Sequence, residues 1–136
     1  MLTNARMVAN LRVPDLVAAV DFYEAKLGLP LAGRISLMPG HEEVLFQAGG
    51  SLVCVEPGEG GGTHTPIAFQ VDDVDGALAG LRERGVEPEE YDLPHLKTVN
   101  GVLSMGDVRA AWIKDPGGNL IGLMTNVLAD EPAATT

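Results

Sequence analysis

Apolar and polar residues alternate from residue 7 to residue 13, and this period of two predicts a half-buried strand. Apolar residues then recur at helical spacing between Leu16 and Leu27, with Asp15 placed to cap the first turn and Gly28 to end the last. Further segments with strand character are 29–37, 43–48 and 51–56. The first part of the chain therefore predicts the element order βαβββ.

The same order recurs 58 residues later, where Val71-Asp72-Asp73-Val74 occupies the place of Val13-Pro14-Asp15-Leu16. A strand at 64–71 precedes a helix that ends at Gly85. Further strands are predicted at 86–91, 108–114 and 119–124, with a long loop at 92–106 and a candidate mobile lid at 92–107.

The repeat defines the domain organisation. We expect a single domain over residues 1–128, made of two modules joined by a glycine-rich crossover loop. The first module is 5–56, the loop is 57–63, the second module is 64–126, and a disordered tail follows at 129–136.

The composition limits the function classes. The 136 residues include 9 Lys and Arg against 19 Asp and Glu, which gives a formal net charge of -10. A nucleic-acid surface needs clustered cations, so we expect no nucleic-acid partner. No apolar run has the length of a membrane span and residues 1–10 lack a signal-peptide pattern, so we expect a cytoplasmic protein with no membrane partner. The acidity suits a cationic small ligand and, more simply, solubility.

Three segments carry a resemblance to a known family. They are Val13-Pro14-Asp15-Leu16 through Phe22-Tyr23 to Leu27-Gly28-Leu29, then Phe69-Gln70-Val71-Asp72-Asp73-Val74, and Asp115-Pro116-Gly117-Gly118-Asn119-Leu120-Ile121. Together they resemble the vicinal oxygen chelate superfamily of glyoxalase I, bleomycin-resistance proteins and extradiol dioxygenases. The resemblance implies an α+β fold in which two βαβββ modules curl their mixed sheets around a concave pocket. It also implies a homodimer, and it leaves open whether the halves are swapped between subunits.

The resemblance further indicates where a metal would bind. Metal-dependent members hold a divalent ion with four side chains, on the first and last strands of each module, and these positions fall on Val8, Cys54, Pro66 and Gly122. Valine, proline and glycine side chains offer no ligand atom, and one thiol cannot hold a divalent ion alone. We therefore predict no metal at these positions and no other cofactor.

Strand alternation indicates which side chains line the pocket beside those positions. The ligand-binding candidates are Trp112, Arg12, Asn10, Gln70, Cys54, Leu52 and Met124. Trp112 is either a stacking surface for a ligand or a core residue. Arg12 either binds a carboxylate or, in the favoured interpretation, pairs with Glu56. Asn10 and Gln70 either contact the ligand or form hydrogen bonds across strands.

The favoured functional hypothesis is a metal-independent protein that binds a small organic molecule and sequesters a drug or toxic metabolite, as bleomycin-resistance proteins do. The alternative is an enzyme of the glyoxalase, isomerase or dioxygenase type, whose base would be Glu56, His64 or Glu43, or whose metal would be held by Glu56, His64 and Cys54. His64 is more typical of a pocket rim, and Cys54 of a small buried residue than of a reactive thiol. A third hypothesis is an interaction module whose pocket has collapsed.

Overall fold

The computed structural model describes residues 3–4, 6–39, 41–62 and 64–125, without the side chains of residues 37, 38 and 41. The first elements are β1 (Val8–Val13), α1 (Leu16–Val20), a π-helical continuation of α1 (Asp21–Lys26), β2 (Leu31–Met38), β3 (His41–Ala48) and β4 (Ser51–Pro57). The later elements are β5 (Ile67–Gln70), α2 (Val74–Glu83), β6 (Asp92–Leu93), β7 (Leu96–Lys97), β8 (Leu103–Met105), β9 (Val108–Lys114) and β10 (Leu120–Met124). None of the helices in these ranges is long and apolar enough to cross a membrane.

The chain forms two compact units, each containing a four-stranded sheet. The first unit comprises Met1–Pro66 and Lys114–Leu120 and contains the sheet β1-β4-β3-β2. The second comprises Ile67–Ile113 and Ile121–Thr136 and contains the sheet β5-β10-β9-β8. In each sheet the opening strand is parallel to its neighbour, β1 to β4 and β5 to β10. These two mixed sheets with one helical segment each confirm the predicted α+β fold of two βαβββ modules.

The first sheet buries one face under its helical segment. On β1, Leu11 and Val13 are buried while Asn10 and Arg12 are exposed, as the alternation predicted. The buried face also includes Phe46, whose ring lies 5.8 Å from the ring of Tyr23 in the π-helical turn. Asp15 caps α1 as predicted, because its Oδ1 accepts the backbone N–H of Ala18 at 3.2 Å. The opposite face of the sheet carries the candidate site residues.

The second sheet has the same two-sided character. The inward residues of α2 are Val74, Leu78 and Leu81, and they are buried together with Ala111, Ile113, Ile121 and Leu123 of β9 and β10. Since side chains alternate along a strand, Trp112 and Gly122 lie on the other face of this sheet. That face is only partly covered, because Trp112 and Met124 are half-buried and Gln70 is exposed.

Two predictions for the second half are wrong. Residues 86–91 form no strand, because Pro88 has no backbone N–H and Tyr91 N donates to Thr98 Oγ1 rather than to a strand. Residues 92–106 are not a plain loop, since they contain β6, β7 and β8. Strand β8 pairs antiparallel with β9 and so supplies the fourth strand that had been assigned to 86–91.

Strand β5 is shorter than the predicted 64–71, so His64 and Pro66 precede it instead of lying on it. The predicted start of this strand at residue 64 is therefore wrong, and His64 and Pro66 are not part of the strand that carries Gln70. Proline at position 66 explains the late start, because it cannot donate to a ladder hydrogen bond. The tail predicted at 129–136 lies outside the described residues.

Candidate functional site

The face of β1 and β4 that points away from the helical segment brings several predicted site residues together in register. The paired positions are Val8 with Leu52, Asn10 with Cys54 and Arg12 with Glu56. Paired residues of neighbouring strands point to the same face, so these six side chains share one surface, as the sequence predicted. Leu52 and Glu56 are half-buried, whereas Val8, Asn10 and Arg12 are exposed.

Arg12 and Glu56 form the ion pair that the favoured interpretation predicted. Arg12 Nε lies 3.5 Å from Glu56 Oε1, and the Arg12 side chain is 70% exposed. An exposed pair at this distance contributes little to stability. The guanidinium is thus accessible at the surface, so the cost of burying an unpaired charge does not account for this ion pair.

Cys54 is buried, as predicted, but its neighbour is a carboxylate. Its thiol donates to Glu43 Oε1 at 3.5 Å, and the two residues are 3% and 5% exposed. Burial, the hydrogen bond to Glu43 and the negative charges of Glu43 and Glu56 raise the pKa of the Cys54 thiol to about 11. Because the thiolate is the nucleophilic form, Cys54 is protonated and unreactive near neutral pH.

Glu43 is a polar residue whose burial the sequence pattern did not reveal. It lies on β3 two positions from Leu45, which pairs with Cys54, and so it faces the same side as Cys54. Its Oε2 is buried and has no hydrogen-bond partner among the described residues. A buried carboxylate oxygen without a donor is costly, so this atom is an unused acceptor on the candidate face.

On the second sheet, Trp112 lies on the face that is only partly covered. Asp115 N donates to Asn119 O and Thr125 N donates to Arg109 O, each at 3.0 Å. Arg109 and Asp115 are six positions apart, and so are Asn119 and Thr125. The antiparallel register that these two bonds define therefore places Trp112 opposite Gly122.

The neighbours of Trp112 on this face are small. Gly122 pairs in turn with Ala68 on β5, and Ala110 is two residues from Trp112 on its own strand. Tyr91 stands against the indole with a ring-centroid distance of 5.6 Å and an interplanar angle of 87°. The indole is therefore held edge-to-face on one side and bordered by glycine and alanine on others, which leaves a flat half-buried surface.

Met124 and Gln70 extend this face. They pair with each other across β10 and β5, with Met124 half-buried and Gln70 exposed. The ligand-binding candidates thus fall into two groups, one on each sheet. Tyr91 also belongs to the second group, although it is not among the ligand-binding candidates that the sequence predicts.

The four positions at which the resemblance indicates a metal do not fit a divalent ion in this chain. Val8 presents an exposed alkyl group, Pro66 and Gly122 carry no donor atom, and the Cys54 thiol is protonated and bonded to Glu43. The alternative cluster of Glu56, His64 and Cys54 does not form: the described part of the chain holds no group of three His, Cys, Asp or Glu side chains suited to a metal ion. His64 is exposed and lies before β5.

Comparison with known proteins agrees with this architecture. The sequence model of the glyoxalase/bleomycin resistance protein/dioxygenase superfamily matches residues 6–123. No curated protein matches the chain. A solved structure of a member of the same superfamily from Sphaerobacter thermophilus is 27% identical, with a TM-score of 0.71 over 92% of this chain and 99% of that one.

Two further solved structures are similar in fold. An antibiotic binding protein from a Streptomyces species is 23% identical, with a TM-score of 0.63 over 92% of this chain and 98% of that one. A fosfomycin resistance protein from Listeria monocytogenes, crystallised with Mn(II) and sulfate, is 18% identical, with a TM-score of 0.68 over 95% of this chain and 97% of that one.

Proposed function

The chain belongs to the glyoxalase/bleomycin resistance protein/dioxygenase superfamily, and on that basis we propose that it binds and sequesters a small organic molecule without using a metal ion. The single observation that carries this proposal is the environment of Trp112. Its indole is half-buried, fixed by Tyr91 and bordered by Gly122 and Ala110. A rigid aromatic face beside small residues offers a large contact area to a planar group at little entropic cost.

Two further features support sequestration over metal-dependent chemistry. Three of the four family ligand positions lack a donor atom, so a Lewis-acid mechanism has no support at that place in this chain. In addition, a solved neighbour of similar fold is an antibiotic binding protein. A net charge of -10 favours a cationic ligand.

We further propose a cytoplasmic homodimer, for which light scattering would give the mass of two chains.

The remaining candidates have supporting roles in this proposal. On the second sheet, Gln70 offers a polar contact and Met124 an apolar contact beside Trp112. On the first sheet, Arg12 and Asn10 are proposed as polar contacts and Leu52 as an apolar contact. Cys54 contributes a small buried side chain.

The test is calorimetric titration with metal-free bleomycin and with acriflavine, two cationic molecules that carry aromatic rings. Saturable binding to the natural protein is expected with at least one of them. Trp112→Leu should weaken it by about tenfold, because it removes the stacking surface, while Trp112→Phe should retain part of the affinity. Absence of saturable heat with both molecules, or equal affinity in Trp112→Leu, would contradict the proposal.

A second candidate function is supported by Glu43. A buried carboxylate with one unpartnered oxygen is suited to accept a proton from a bound substrate, so an isomerase-type enzyme with Glu43 as its base is the alternative. Glu56 is less suited because Arg12 pairs with it, and His64 because it is exposed. If turnover of any superfamily substrate is detected, Glu43→Gln should abolish it while leaving bleomycin or acriflavine binding intact.

A further inference from the structure

A depression of about 370 Å³ opens on the second unit, and its lining includes none of the ligand-binding candidates described above. It is lined by Lys97, Val99, Val102, Ser104 and Arg109. Arg109 and Trp112 are three positions apart on β9, so they point to opposite faces of the sheet. The depression is thus separate from the Trp112 surface. Two of the nine basic residues of a strongly acidic chain line this one feature.

One wall of the depression is a tight turn between Val99 and Val102. Their backbones form two hydrogen bonds, Val99 N to Val102 O at 2.8 Å and Val102 N to Val99 O at 3.1 Å. Asn100 and Gly101 between them both have positive φ, of 54° and 84°, as a two-residue hairpin turn requires. Asn-Gly is a strong sequence signal for such a turn.

The turn is anchored from two sides. Arg82 Nη2 donates to Asn100 O at 3.1 Å, and Glu90 Oε1 accepts Gly101 N at 2.8 Å and Thr98 Oγ1 at 2.6 Å. These hydrogen bonds from Thr98 and Gly101 lower the pKa of the Glu90 carboxyl, so Glu90 stays ionised and continues to accept hydrogen bonds from the turn. Lys97 and Val99, on either side of Thr98, are therefore presented by a fixed backbone.

The other wall carries Ser104 and Arg109, which are paired across β8 and β9 and face the same side. Arg109 Nη2 lies 2.8 Å from Asp75 Oδ2, so one carboxylate already orients the guanidinium. Arg109 Nε is buried and has no hydrogen-bond partner in the described ranges. Lys97 is exposed, and the ion pairs found within those ranges do not include it.

We propose that this depression binds the oxyanion group, carboxylate or phosphate, of a small organic molecule. Lys97 lies opposite Asp92 across β6 and β7, and its charge is in none of the ion pairs found within the described ranges. Ser104 supplies a hydroxyl donor, and the guanidinium of Arg109 has donor capacity that Asp75 does not use. Charge-assisted hydrogen bonds to an oxyanion are the strong class of such contacts. Val99 and Val102 provide the apolar surface for the remainder of the molecule.

The test is an NMR titration of the ¹⁵N-labelled protein with inorganic phosphate and, separately, with acetate, at constant ionic strength set by sodium chloride. The proposal expects saturable shifts of the amides of Lys97, Val99, Val102 and Ser104 with at least one anion. The anion that saturates first identifies phosphate or carboxylate as the preferred group.

Lys97→Met should weaken this binding by about tenfold, because it removes one charged hydrogen bond. Lys97 is exposed, so the variant is expected to fold, and unchanged amide positions outside the depression would verify this. Lys114→Met is the matched control, since it removes the same charge from a residue that does not line the depression. Shifts that stay linear with both anions, or equal affinity in Lys97→Met and Lys114→Met, would overturn the proposal.

Discussion

The phenol of Tyr23 donates a hydrogen bond of 2.8 Å to Asp115 Oδ2, joining two buried residues that are 92 positions apart. The same carboxylate accepts Asn119 Nδ2 at 2.9 Å on Oδ2, and the backbone N–H groups of Gly117 and Asn119 at 2.9 and 2.8 Å on Oδ1. A buried carboxylate with four donors is well satisfied. The Asp-Pro-Gly-Gly-Asn segment is thereby fixed against the helical part of the first unit.

Asn119 extends this network to the candidate face. Its Nδ2 donates to Arg12 O at 2.9 Å, and its Oδ1 accepts Gly61 N at 3.0 Å. The backbone that carries Arg12 is thus held by the motif at 115–119. This explains the motif as a structural feature that positions β1, rather than as part of a ligand contact.

Replacing Tyr23 by phenylalanine should lower the free energy of unfolding by about 1–2 kcal/mol, because a buried hydrogen bond to a carboxylate is lost. Urea denaturation measures the change. Tyr91→Phe removes the same hydroxyl from a half-buried tyrosine, and the loss there should stay within about 0.5 kcal/mol. Equal losses of unfolding free energy in the two variants would show that the hydrogen bond from Tyr23 to Asp115 does not stabilise the fold.

Gly101 and Gly106 both have positive φ but differ in surroundings, so their alanine variants separate backbone strain from steric clash. A Cβ at Gly101 would clash with Pro88 Cγ, whereas a Cβ at Gly106 would have no atom within 4 Å. Both variants incur the cost of a left-handed alanine, about 1 kcal/mol. Gly101→Ala should cost at least about 1 kcal/mol more than Gly106→Ala in thermal or urea unfolding. Equal costs would mean that Pro88 does not pack against the turn.

Stability should fall at alkaline pH, and Cys54 should account for part of the fall. The pKa of its thiol is about 11 in the folded chain against an ordinary value of 9.0, so the folded state holds the proton more tightly. The resulting stabilisation is fully present below about pH 9 and is lost as the pH rises through about 11. Burial and Asp115 also raise the pKa of Tyr23, which adds a loss in the same direction.

The measurement is the urea midpoint as a function of pH for the natural protein and for Cys54→Ala. The variant should show a shallower decline above pH 9, whatever its stability at neutral pH. Glu43→Gln should also flatten the decline, because removing the Glu43 charge lowers the pKa of Cys54. Parallel declines in all three proteins would contradict the assigned surroundings of Cys54.

The parts of the fold that depend on local patterns could be predicted from the sequence. A few neighbouring residues determine each of three such features: the alternation of β1, the Asp15 cap and the repeat of Asp15 at Asp73. That Arg12 and Glu56 share one face could also be predicted. Side chains alternate along each strand, and the position of the repeat indicates which face is the site face.

The errors arose where a distant partner decides the structure. Residues 86–91 have strand-like composition, and Glu89 N donates to Trp112 O of β9 at 2.7 Å. This pairing does not continue into a strand, because Pro88 has no N–H and Tyr91 N donates to Thr98 Oγ1. The Asn100-Gly101 turn was a local signal that could have indicated the hairpin. The burial of Glu43 could not be predicted, because it depends on which side chains cover the face of a strand and not on the strand's own alternation.

The most direct test of the central claim, ligand binding without a metal, is native mass spectrometry of the freshly purified protein with and without added nickel, zinc and manganese. We expect no stoichiometric metal adduct, together with an additional mass that corresponds to a small organic molecule and is lost in Trp112→Leu. One metal ion retained per chain would contradict the exclusion of Val8, Pro66 and Gly122 as a ligand set, and would make the enzyme the better account.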